Sequence, residues 1–349
     1  MKKTKRPQCL RGAVVGFGNM AEKGHLPGWL KERRVSLEAV CELTPKRRRR
    51  AKQLLPDARI YRSQDELFAH ESLDFVDICT PPTSHAELAI DALRQGVHVL
   101  CEKPFVGTGR ELQAIRRLSS QQKRIAFPVH NWKDAPVLAK AIGWVRKGLI
   151  GRVFHSEFHT LRFRPAVGLT PWRSEKEASG GGGIVKDHGW HGIYLLLNFH
   201  ADRPRTVSAW MYPSPSPSGQ GQAEHTAHVL LGFRDATASL FLTWKADRRH
   251  NSARIYGEGG VLVLDDDRVV LRPRKGATRV ATYRHPLSHG SHHPEWFGPV
   301  LGRFLRAIKD RRLATEELEE ASLCLEITHR GYASAQRGGA GVPIGGSKE

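Results

Sequence analysis

The segment Ala13-Val14-Val15-Gly16-Phe17-Gly18-Asn19-Met20-Ala21 decides the fold of this 349-residue chain. Its three apolar residues predict a short buried strand, and the pattern Gly16-x-Gly18-x-x-Ala21 follows where a helix should begin. Glycine at the first position permits a tight turn, and glycine at the second lets the backbone approach a pyrophosphate. A small third residue lets the helix pack close to the strand. The segment therefore predicts a strand, turn and helix whose helix N-terminus binds phosphate groups.

Strand and helix patterns alternate after this turn. We predict a first helix that ends near Lys31, and the pair Thr44-Pro45 is typical of the start of a second one. The predicted strands are 13–15, 35–41, 75–79, 97–101 and 125–129, and the later predicted helices are 46–55, 84–95 and 109–122. Such alternation is typical of a parallel, doubly wound sheet. An α/β domain is therefore predicted over residues 11–130, preceded by a basic tail at 1–10.

The pattern changes beyond residue 130, where strand patterns are separated by turns rather than helices. These strands are predicted at 153–164, 206–212, 227–233, 237–244, 253–256, 261–264 and 269–271, and helices at 136–147, 184–199, 294–310 and 316–336. Turn-separated strands are typical of a largely antiparallel sheet. We therefore predict an α+β domain over residues 131–337, with a low-complexity loop at 213–222 and a flexible tail at 338–349.

The chain is strongly basic, with 55 Lys and Arg against 35 Asp and Glu and a formal net charge of +20. The first 50 residues hold 14 bases and 4 acids, including Lys2, Lys3, Lys5, Arg6 and the run 46–50. Such runs can bind nucleic acid or an anionic surface, but a solvated helix face is the favoured interpretation. No recognition helix, zinc-finger or aromatic-basic sequence pattern is present, so no specific nucleic-acid partner is predicted.

The five cysteines lie far apart, without a CxxC pair or a Cys/His cluster at zinc-ligand spacing. Neither a disulfide framework nor a structural metal is predicted, and a reducing, cytoplasmic location is expected. The basic N-terminus is interrupted by Arg11 and by glycines before an apolar region of signal-peptide length can form. No segment is long and apolar enough to span a bilayer, so no membrane partner is predicted.

The second predicted strand ends in an acid, Glu42, which lies 26 residues after Gly16. A carboxylate at this position could accept hydrogen bonds from an adenosine ribose, which favours NAD. Lys46 and Arg47 follow closely and could neutralise a 2′-phosphate, so NADP stays open. The alternative for Glu42 is an exposed strand end without a ligand.

Two further strand ends carry candidate residues, because ligands of such sheets bind at the carboxyl ends of the strands. The first is Cys79-Thr80-Pro81-Pro82-Thr83-Ser84-His85, a rigid turn before a helix, and the second is Glu102-Lys103-Pro104. A lysine held there could hydrogen-bond a substrate hydroxyl near a nicotinamide, and its charge would favour an alkoxide-like oxygen. Taken alone, a lysine after a strand is usually exposed to solvent.

The segment Asp187-His188-Gly189-Trp190-His191 follows four glycines. Residues four apart share one face of an α-helix, so Asp187 and His191 are predicted to project together as a general acid/base pair. Metal binding by Asp187, His188 and His191 is not favoured, because the sequence marks no fourth ligand. The loop histidines are interpreted as solvated or as weak adventitious metal ligands rather than catalytic; they are His285, His289, His292 and His293.

Taken together, GFGNMA, CTPPTSH, the CEKP turn and GGGGIVKDHGWH resemble the Gfo/Idh/MocA family in their order and spacing. The resemblance spans about residues 11–332 and implies an N-terminal Rossmann domain. It also implies a C-terminal domain whose open sheet covers the active site and often forms dimers or tetramers. Lys186 and His188 beside Asp187, and Glu42 in place of the commoner aspartate, depart from the family pattern and leave the substrate and the cofactor open.

The resemblance also implies roles for individual residues. Lys103 matches the catalytic lysine, Asp187 its partner acid and His191 the acid/base, with the substrate lying between them and the nicotinamide. Asn131 matches a linker position that often reaches the cofactor or the substrate. The complete predicted cofactor set is Gly16, Phe17, Gly18, Asn19, Met20, Glu42, Lys46, Arg47, Thr80, Pro81, Pro82, His85, Glu102, Lys103 and Asn131.

These observations predict an NAD- or NADP-dependent oxidoreductase that acts on a hydroxyl or carbonyl of a sugar, inositol or related polyol, with NAD favoured. A homodimer or homotetramer is expected from the resemblance. Two other functions stay open. One is NAD-dependent glycoside hydrolysis with a transient hydride transfer, and the other is a non-catalytic regulator that senses a dinucleotide.

Overall fold

The structure, a computed structural model, describes residues 9–163, 182–215 and 223–345. Several predicted features lie outside the described residues: the basic tail residues Lys2, Lys3, Lys5 and Arg6, the glycines Gly180 and Gly181, residues 216–222 of the low-complexity loop, and the last four residues of the predicted tail. The chain divides into two compact units. The first unit comprises Met1–Asn131 and His292–Glu319, and the second comprises Trp132–Ser291 and Glu320–Glu349.

The bounds of the regular elements are as follows. The strands are β1 (Leu10–Val15), β2 (Val35–Cys41), β3 (Arg59–Tyr61), β4 (Phe75–Ile78), β5 (His98–Cys101), β6 (Ala126–Pro128), β7 (Val153–Phe163), β8 (Thr206–Tyr212), β9 (Thr226–Gly232), β10 (Thr237–Thr243), β11 (Lys245–Gly257), β12 (Gly260–Asp265), β13 (Arg268–Pro273), β14 (Arg279–Thr282) and β15 (Val342–Pro343). The α-helices are α1 (Leu26–Trp29), α2 (Pro45–Leu54), α3 (Gln64–His70), α4 (His85–Arg94), α5 (Gly109–Gln121), α6 (Pro136–Arg146), α7 (Trp190–Phe199), α8 (Pro294–Lys309) and α9 (Arg311–Gln336). Met20–His25 and Val185–Gly189 are π-helical turns that lead into α1 and α7.

The first unit is built on a parallel sheet with the strand order β3-β2-β1-β4-β5-β6. This is the order of a dinucleotide-binding Rossmann fold, so the predicted α/β domain is confirmed. The sequence prediction missed β3 and α3. The capping interaction of Ser63, whose side chain accepts the Glu66 N–H, follows a Ser-x-x-Glu pattern that could have revealed α3.

The first unit also includes a segment from late in the sequence, although the prediction placed residues 292–319 with the C-terminal domain. Helix α8 is amphipathic, and its buried side chains Phe297, Val300, Leu301 and Phe304 join the core of the parallel sheet. There Phe304 packs edge-on against Phe75 of β4 and Phe127 of β6. Burial of this apolar face explains why the segment belongs to the first unit.

The second unit contains a sheet with the strand order β14-β13-β12-β11-β7-β10-β9-β8-β15. Its neighbouring strands are antiparallel except for β7 and β10, so the predicted largely antiparallel α+β domain is confirmed. Strand β11 is longer than the predicted 253–256, because its charged first half pairs with β7 beyond a register shift. Part of the predicted flexible tail, Val342–Pro343, is a strand that pairs with β8.

Among the described helices, none has both the length and the apolar character needed to cross a bilayer.

Candidate functional site

The glycine turn after β1 has the backbone that a phosphate-binding turn requires. Gly16 has a φ of +84°, which favours glycine, and its N–H donates to the carbonyl of Cys41 at the end of β2. A Cβ at Gly16 would lie 2.6 Å from Cγ2 of Thr80. The turn therefore fits only with glycine, and it brings the ends of β1 and β2 close to the Thr80 loop.

Glu42 faces this turn and is only 5% exposed. Its Oε2 accepts the Phe17 N–H at 2.7 Å, and its Oε1 accepts the Thr44 N–H at the same distance. The alternative of an exposed strand end is therefore wrong, because the carboxylate holds two backbone donors. Glu42 fixes the conformation of the glycine turn, whatever else it binds.

The space beside Gly18 is the open part of the turn. A Cβ at Gly18 would meet only Arg47 among the described residues, with Nη1 3.6 Å away, which is an ordinary contact. Arg47 lies near the start of α2, beside the exposed Lys46. A close backbone approach with a guanidinium beside it suits a pyrophosphate or another phosphate. The residues present therefore fit a dinucleotide.

His85, the first residue of α4, joins two of the predicted strand-end loops. Its Nε2 lies 2.8 Å from the carbonyl oxygen of Thr80, and its Nδ1 lies 2.8 Å from that of Pro104. Burial lowers the pKa of His85, and the charge of Lys103 also lowers it. The hydrogen bonds to the two carbonyls raise it, but by less. The His85 ring therefore lies between the two loops and contacts a carbonyl oxygen of each. The Lys103–Pro104 peptide is cis.

A buried network behind the Lys103 turn was missed by the sequence prediction. His25 is 2% exposed, and its two ring nitrogens contact the carboxylates of Asp77 and Glu102. Asp77 also accepts the indole N–H of Trp29 at 2.7 Å. One sequence feature could have revealed the network: a charged aspartate in the middle of the apolar strand β4 needs buried partners.

The other predicted cofactor residues of the first unit lie around these loops. Phe17 is buried in the apolar cluster beneath the turn, and Asn19 and Met20 begin the π-helical turn. Pro81 and Pro82 lead through a short 3-10 turn into α4. Asn131 is buried and begins a 3-10 turn after β6. The predicted set therefore lies on the loops at the carboxyl ends of β1, β2, β4, β5 and β6.

In the second unit, Asp187 lies in a π-helical turn and His191 in the first turn of α7. The prediction treated both as α-helical neighbours, but residues in a π-helix bond five apart, so the α-helical spacing does not set their relative direction. Asp187 Oδ2 lies 3.4 Å from His188 Nδ1. Glu224 holds the start of this turn, because its Oε1 accepts the N–H groups of Gly183 and Val185.

The buried imidazole of His191 is held by two aromatic residues. Its Nδ1 lies 2.8 Å from the phenol oxygen of Tyr194, and its ring stacks on Trp132 with centroids 4.8 Å apart. Burial raises the pKa of Tyr194 well above its usual range, so the phenol stays neutral. A histidine with a fixed ring suits a general acid/base.

Arg162 also lies over the Trp132 ring, with Cζ 5.7 Å from its centroid. Its guanidinium donates to Asn251 Oδ1 at 3.1 Å. Burial and the nearby Arg249 lower the pKa of Arg162 to about 10, although Asp187 and Asp266 oppose them. The sequence prediction did not identify Arg162, Trp132 or Tyr194, because none of them belongs to a motif on which the prediction was based.

Comparison with known protein families matches both parts of the chain. Residues 10–130 match the model of the GFO/IDH/MocA oxidoreductase family with an NAD-binding Rossmann fold. Residues 138–263 match the model of the GFO/IDH/MocA C-terminal domain.

Individual proteins show the same similarity. The chain is 28% identical over 287 residues to D-apiose dehydrogenase from Paraburkholderia graminis, which covers 79% of this chain and 73% of that protein. It is 32% identical over 218 residues to levoglucosan dehydrogenase from Pseudarthrobacter phenanthrenivorans, covering 55% of each. Among solved structures, an oxidoreductase from Agrobacterium radiobacter in complex with NAD+, L-tartaric acid and magnesium has a TM-score of 0.83 and 21% identity, covering 96% of this chain and 98% of that one.

Proposed function

The chain belongs to the GFO/IDH/MocA family of oxidoreductases, and from that premise we propose that it is an NAD-dependent dehydrogenase of a sugar or polyol. The observation that carries the proposal is the phosphate-binding turn at Gly16, held by Glu42 in a sheet of Rossmann order. Two similar proteins are named as dehydrogenases of D-apiose and levoglucosan. Both names point to a carbohydrate hydroxyl as the group that reacts.

Three residues of the chain have proposed roles in the reaction. Lys103 stabilises the substrate oxygen as negative charge develops on it, and His191 accepts the hydroxyl proton in the oxidative direction. Asp187 favours the charged form of the imidazole as this proton arrives. The nicotinamide, when bound, supplies the hydride acceptor.

NAD is the proposed cofactor, held by the glycine turn and the loops that carry Thr80, His85 and Lys103. Arg47 beside Gly18 is the residue placed to contact a phosphate group. Because a guanidinium binds a 2′-phosphate as readily as a pyrophosphate, NADP is tested in parallel.

A cytoplasmic location and a homo-oligomer complete the proposal. The five cysteines lie far apart in the sequence, without a CxxC pair, which is typical of proteins in a reducing compartment. The sheet of the second unit exposes large apolar side chains on β7, β8 and β9, namely Phe154, Phe163, Trp210, Tyr212 and Leu230. Exposed apolar groups on one sheet suit contact with a second copy of the chain.

The test is a panel of sugars and polyols, including D-apiose and levoglucosan, assayed with NAD and NADP by the absorbance of the reduced nicotinamide. We expect net formation of NADH with at least one sugar. A variant that carries Lys103→Ala and His191→Ala together should be inactive. Equal turnover by this variant and the wild type would overturn the assigned roles, and product formation without net NADH would instead indicate a transient hydride transfer.

A further inference from the structure

The network around His25 places a carboxyl group against each of the two ring nitrogens. Nδ1 lies 2.9 Å and 3.1 Å from the two carboxylate oxygens of Asp77, and Nε2 lies 3.0 Å from Glu102 Oε1. A neutral imidazole has a single N–H and can donate to only one of these carboxylates. When both carboxyl groups are ionised, hydrogen bonds to both therefore need an imidazolium.

The surroundings of His25 favour this charged form. Asp77 and Cys79 face the ring from the β4 side, and Glu102 faces it from the end of β5. Phe297 of α8 stacks on the ring with centroids 3.9 Å apart and is uncharged. Burial disfavours the charge, but Asp77 and Cys79 outweigh it and raise the pKa of His25 well above its usual value.

Glu102 connects the His25 ring to the neighbouring Lys103 turn through its two carboxylate oxygens. One oxygen, Oε1, receives the His25 N–H, and the other, Oε2, accepts the backbone N–H of Lys103 at 3.0 Å. Burial favours the protonated carboxyl, but the hydrogen bond and charge of His25 outweigh it and lower the pKa of Glu102. Without the imidazolium, two buried carboxylates would face each other, and Glu102 would protonate or turn away.

We propose that His25 is a positioning residue for Lys103: its buried imidazolium bridges Asp77 and Glu102 and thereby holds the Glu102 carboxylate on the Lys103 backbone. The effect on catalysis rests on the role of Lys103 in the proposed function. The effect on the Lys103 backbone does not rest on that role, because it concerns contacts within the first unit alone.

The first experiment is NMR of the whole chain without substrate. We expect both ring nitrogens of His25 to carry protons at pH 8, with a signal that disappears in His25→Gln. The Lys103 amide should exchange with solvent at least about tenfold faster in His25→Gln than in the wild type, since its acceptor is no longer held. His98→Gln is the matched control, because His98 is also buried in this unit and its pKa is lowered to about 4, so it is neutral.

The second experiment is steady-state kinetics with a sugar that the panel identifies. His25→Gln should lower kcat by about 10- to 100-fold, while the dissociation constant for NAD stays within about twofold, since misplacement of a catalytic group affects the chemical step. Glu102→Gln should have a similar effect, and the double variant should be no worse than either single one. Additive losses would indicate general destabilisation and would overturn the proposal.

The outcomes separate this inference from the proposed function. A neutral His25 ring at pH 8, or one equivalent of a tightly bound metal ion lost in His25→Gln, would overturn the inference even if the enzyme is active. Unchanged hydrogen exchange of the Lys103 amide in His25→Gln would also overturn the inference. Full activity of Lys103→Ala would refute the role of Lys103 and leave the backbone result standing. The wild-type NMR result holds even if a variant fails to fold.

Discussion

The phenol oxygen of Tyr194 lies 2.8 Å from Nδ1 of His191, which is three residues earlier in α7. The same oxygen accepts the backbone N–H of Trp132 at 3.0 Å, and the Trp132 ring stacks on the imidazole. One hydroxyl therefore fixes both the histidine and the residue that covers it. With Nδ1 engaged by Tyr194, we assign proton exchange with the substrate to Nε2 of His191.

Tyr194→Phe should lower both activity and stability. The buried Trp132 N–H loses an acceptor, which costs about 1–3 kcal/mol, and His191 loses a partner that orients its ring. We expect kcat to fall by about tenfold or more, since orientation of an acid/base contributes to its effect. Kinetics and chemical denaturation measure the two losses. Tyr283→Phe is the control, and an unchanged kcat in Tyr194→Phe would contradict the assignment.

Replacement of Lys103 or His191 by alanine should each lower kcat by about 100- to 10,000-fold, the usual contribution of such groups. NAD binding should fall much less than kcat, because neither side chain forms the glycine turn. His191→Ala should also lower stability, because it removes a buried ring that stacks on Trp132. His228→Ala, on the exposed side of β9, is the control for loss of a histidine. If either catalytic variant kept more than a tenth of wild-type activity, its assigned role would be wrong.

The two glycines of the turn should respond differently to alanine. At Gly16, φ is +84° and a Cβ would lie 2.6 Å from Thr80 Cγ2, so Gly16→Ala should cost about 2–4 kcal/mol of stability. At Gly18 a Cβ meets only an ordinary contact with Arg47 among the described residues. Gly18→Ala should therefore fold normally but bind NAD at least about tenfold more weakly, because its methyl group occupies the space that a pyrophosphate approaches. Denaturation and NAD titration separate the two effects, and equal destabilisation would contradict this account.

Much of the first unit follows from local sequence patterns. Thr44-Pro45 predicts the start of α2 at Pro45, and the apolar run at 75–79 predicts β4. Strand β3 has only three residues, and α8 lies more than 150 residues from the sheet on which it packs. Strand β3 was missed because so short a segment carries little periodicity. Helix α8 was predicted at 294–310, but its place in the first unit was not, because that depends on tertiary burial.

The residues of the candidate site also divide into those that local sequence patterns indicate and those that they do not. Gly16, Glu42 and Lys103 were identified because each follows a predicted strand. His25 was missed because its partners lie 52 and 77 residues away, and only the strand order brings them together. The π-helical turn at Val185–Gly189 was missed because an extra residue in a helical turn leaves no mark in the hydrophobic pattern.

Variants near the cofactor should distinguish NAD from NADP. Arg47→Ala removes the guanidinium beside Gly18. If that group binds the 2′-phosphate, NADP binding should weaken more than NAD binding; if it binds the pyrophosphate, which both cofactors carry, the two should weaken equally. Glu42→Gln should weaken both cofactors by about tenfold, since one of the two backbone donors at Phe17 and Thr44 would face an amide NH2 group. Arg49→Ala, on the exposed part of α2, is the control. Titration of each variant with both cofactors gives the two affinities, and unchanged binding of both cofactors by Arg47→Ala would contradict the contact of Arg47 with a phosphate group.

His98 should make the first unit less stable in mild acid. Burial lowers the pKa of His98 to about 4. The charges of Arg124 and Arg311 also lower this pKa, whereas the charge of Asp74 raises it. Its Nδ1 accepts the Ile125 N–H at 3.0 Å, which requires the unprotonated nitrogen. In the unfolded chain a histidine takes up a proton near pH 6.5. Between about pH 6.5 and 4 the unfolded state therefore binds more protons, and stability falls as the pH falls.

His98→Gln should remove this dependence, because a glutamine oxygen can accept the same N–H without titrating. We expect the unfolding free energy of the wild type to fall more steeply from pH 7 to pH 5 than that of the variant. His25 does not contribute in this range: its folded pKa is raised, so its stabilisation is complete below about pH 6.5 and is lost only as the pH rises through the folded pKa. Denaturant titrations at several pH values measure the slopes, with His70→Gln as the partly exposed control. Parallel slopes for the wild type and His98→Gln would show that His98 is already protonated in the folded chain, which the hydrogen bond from Ile125 forbids.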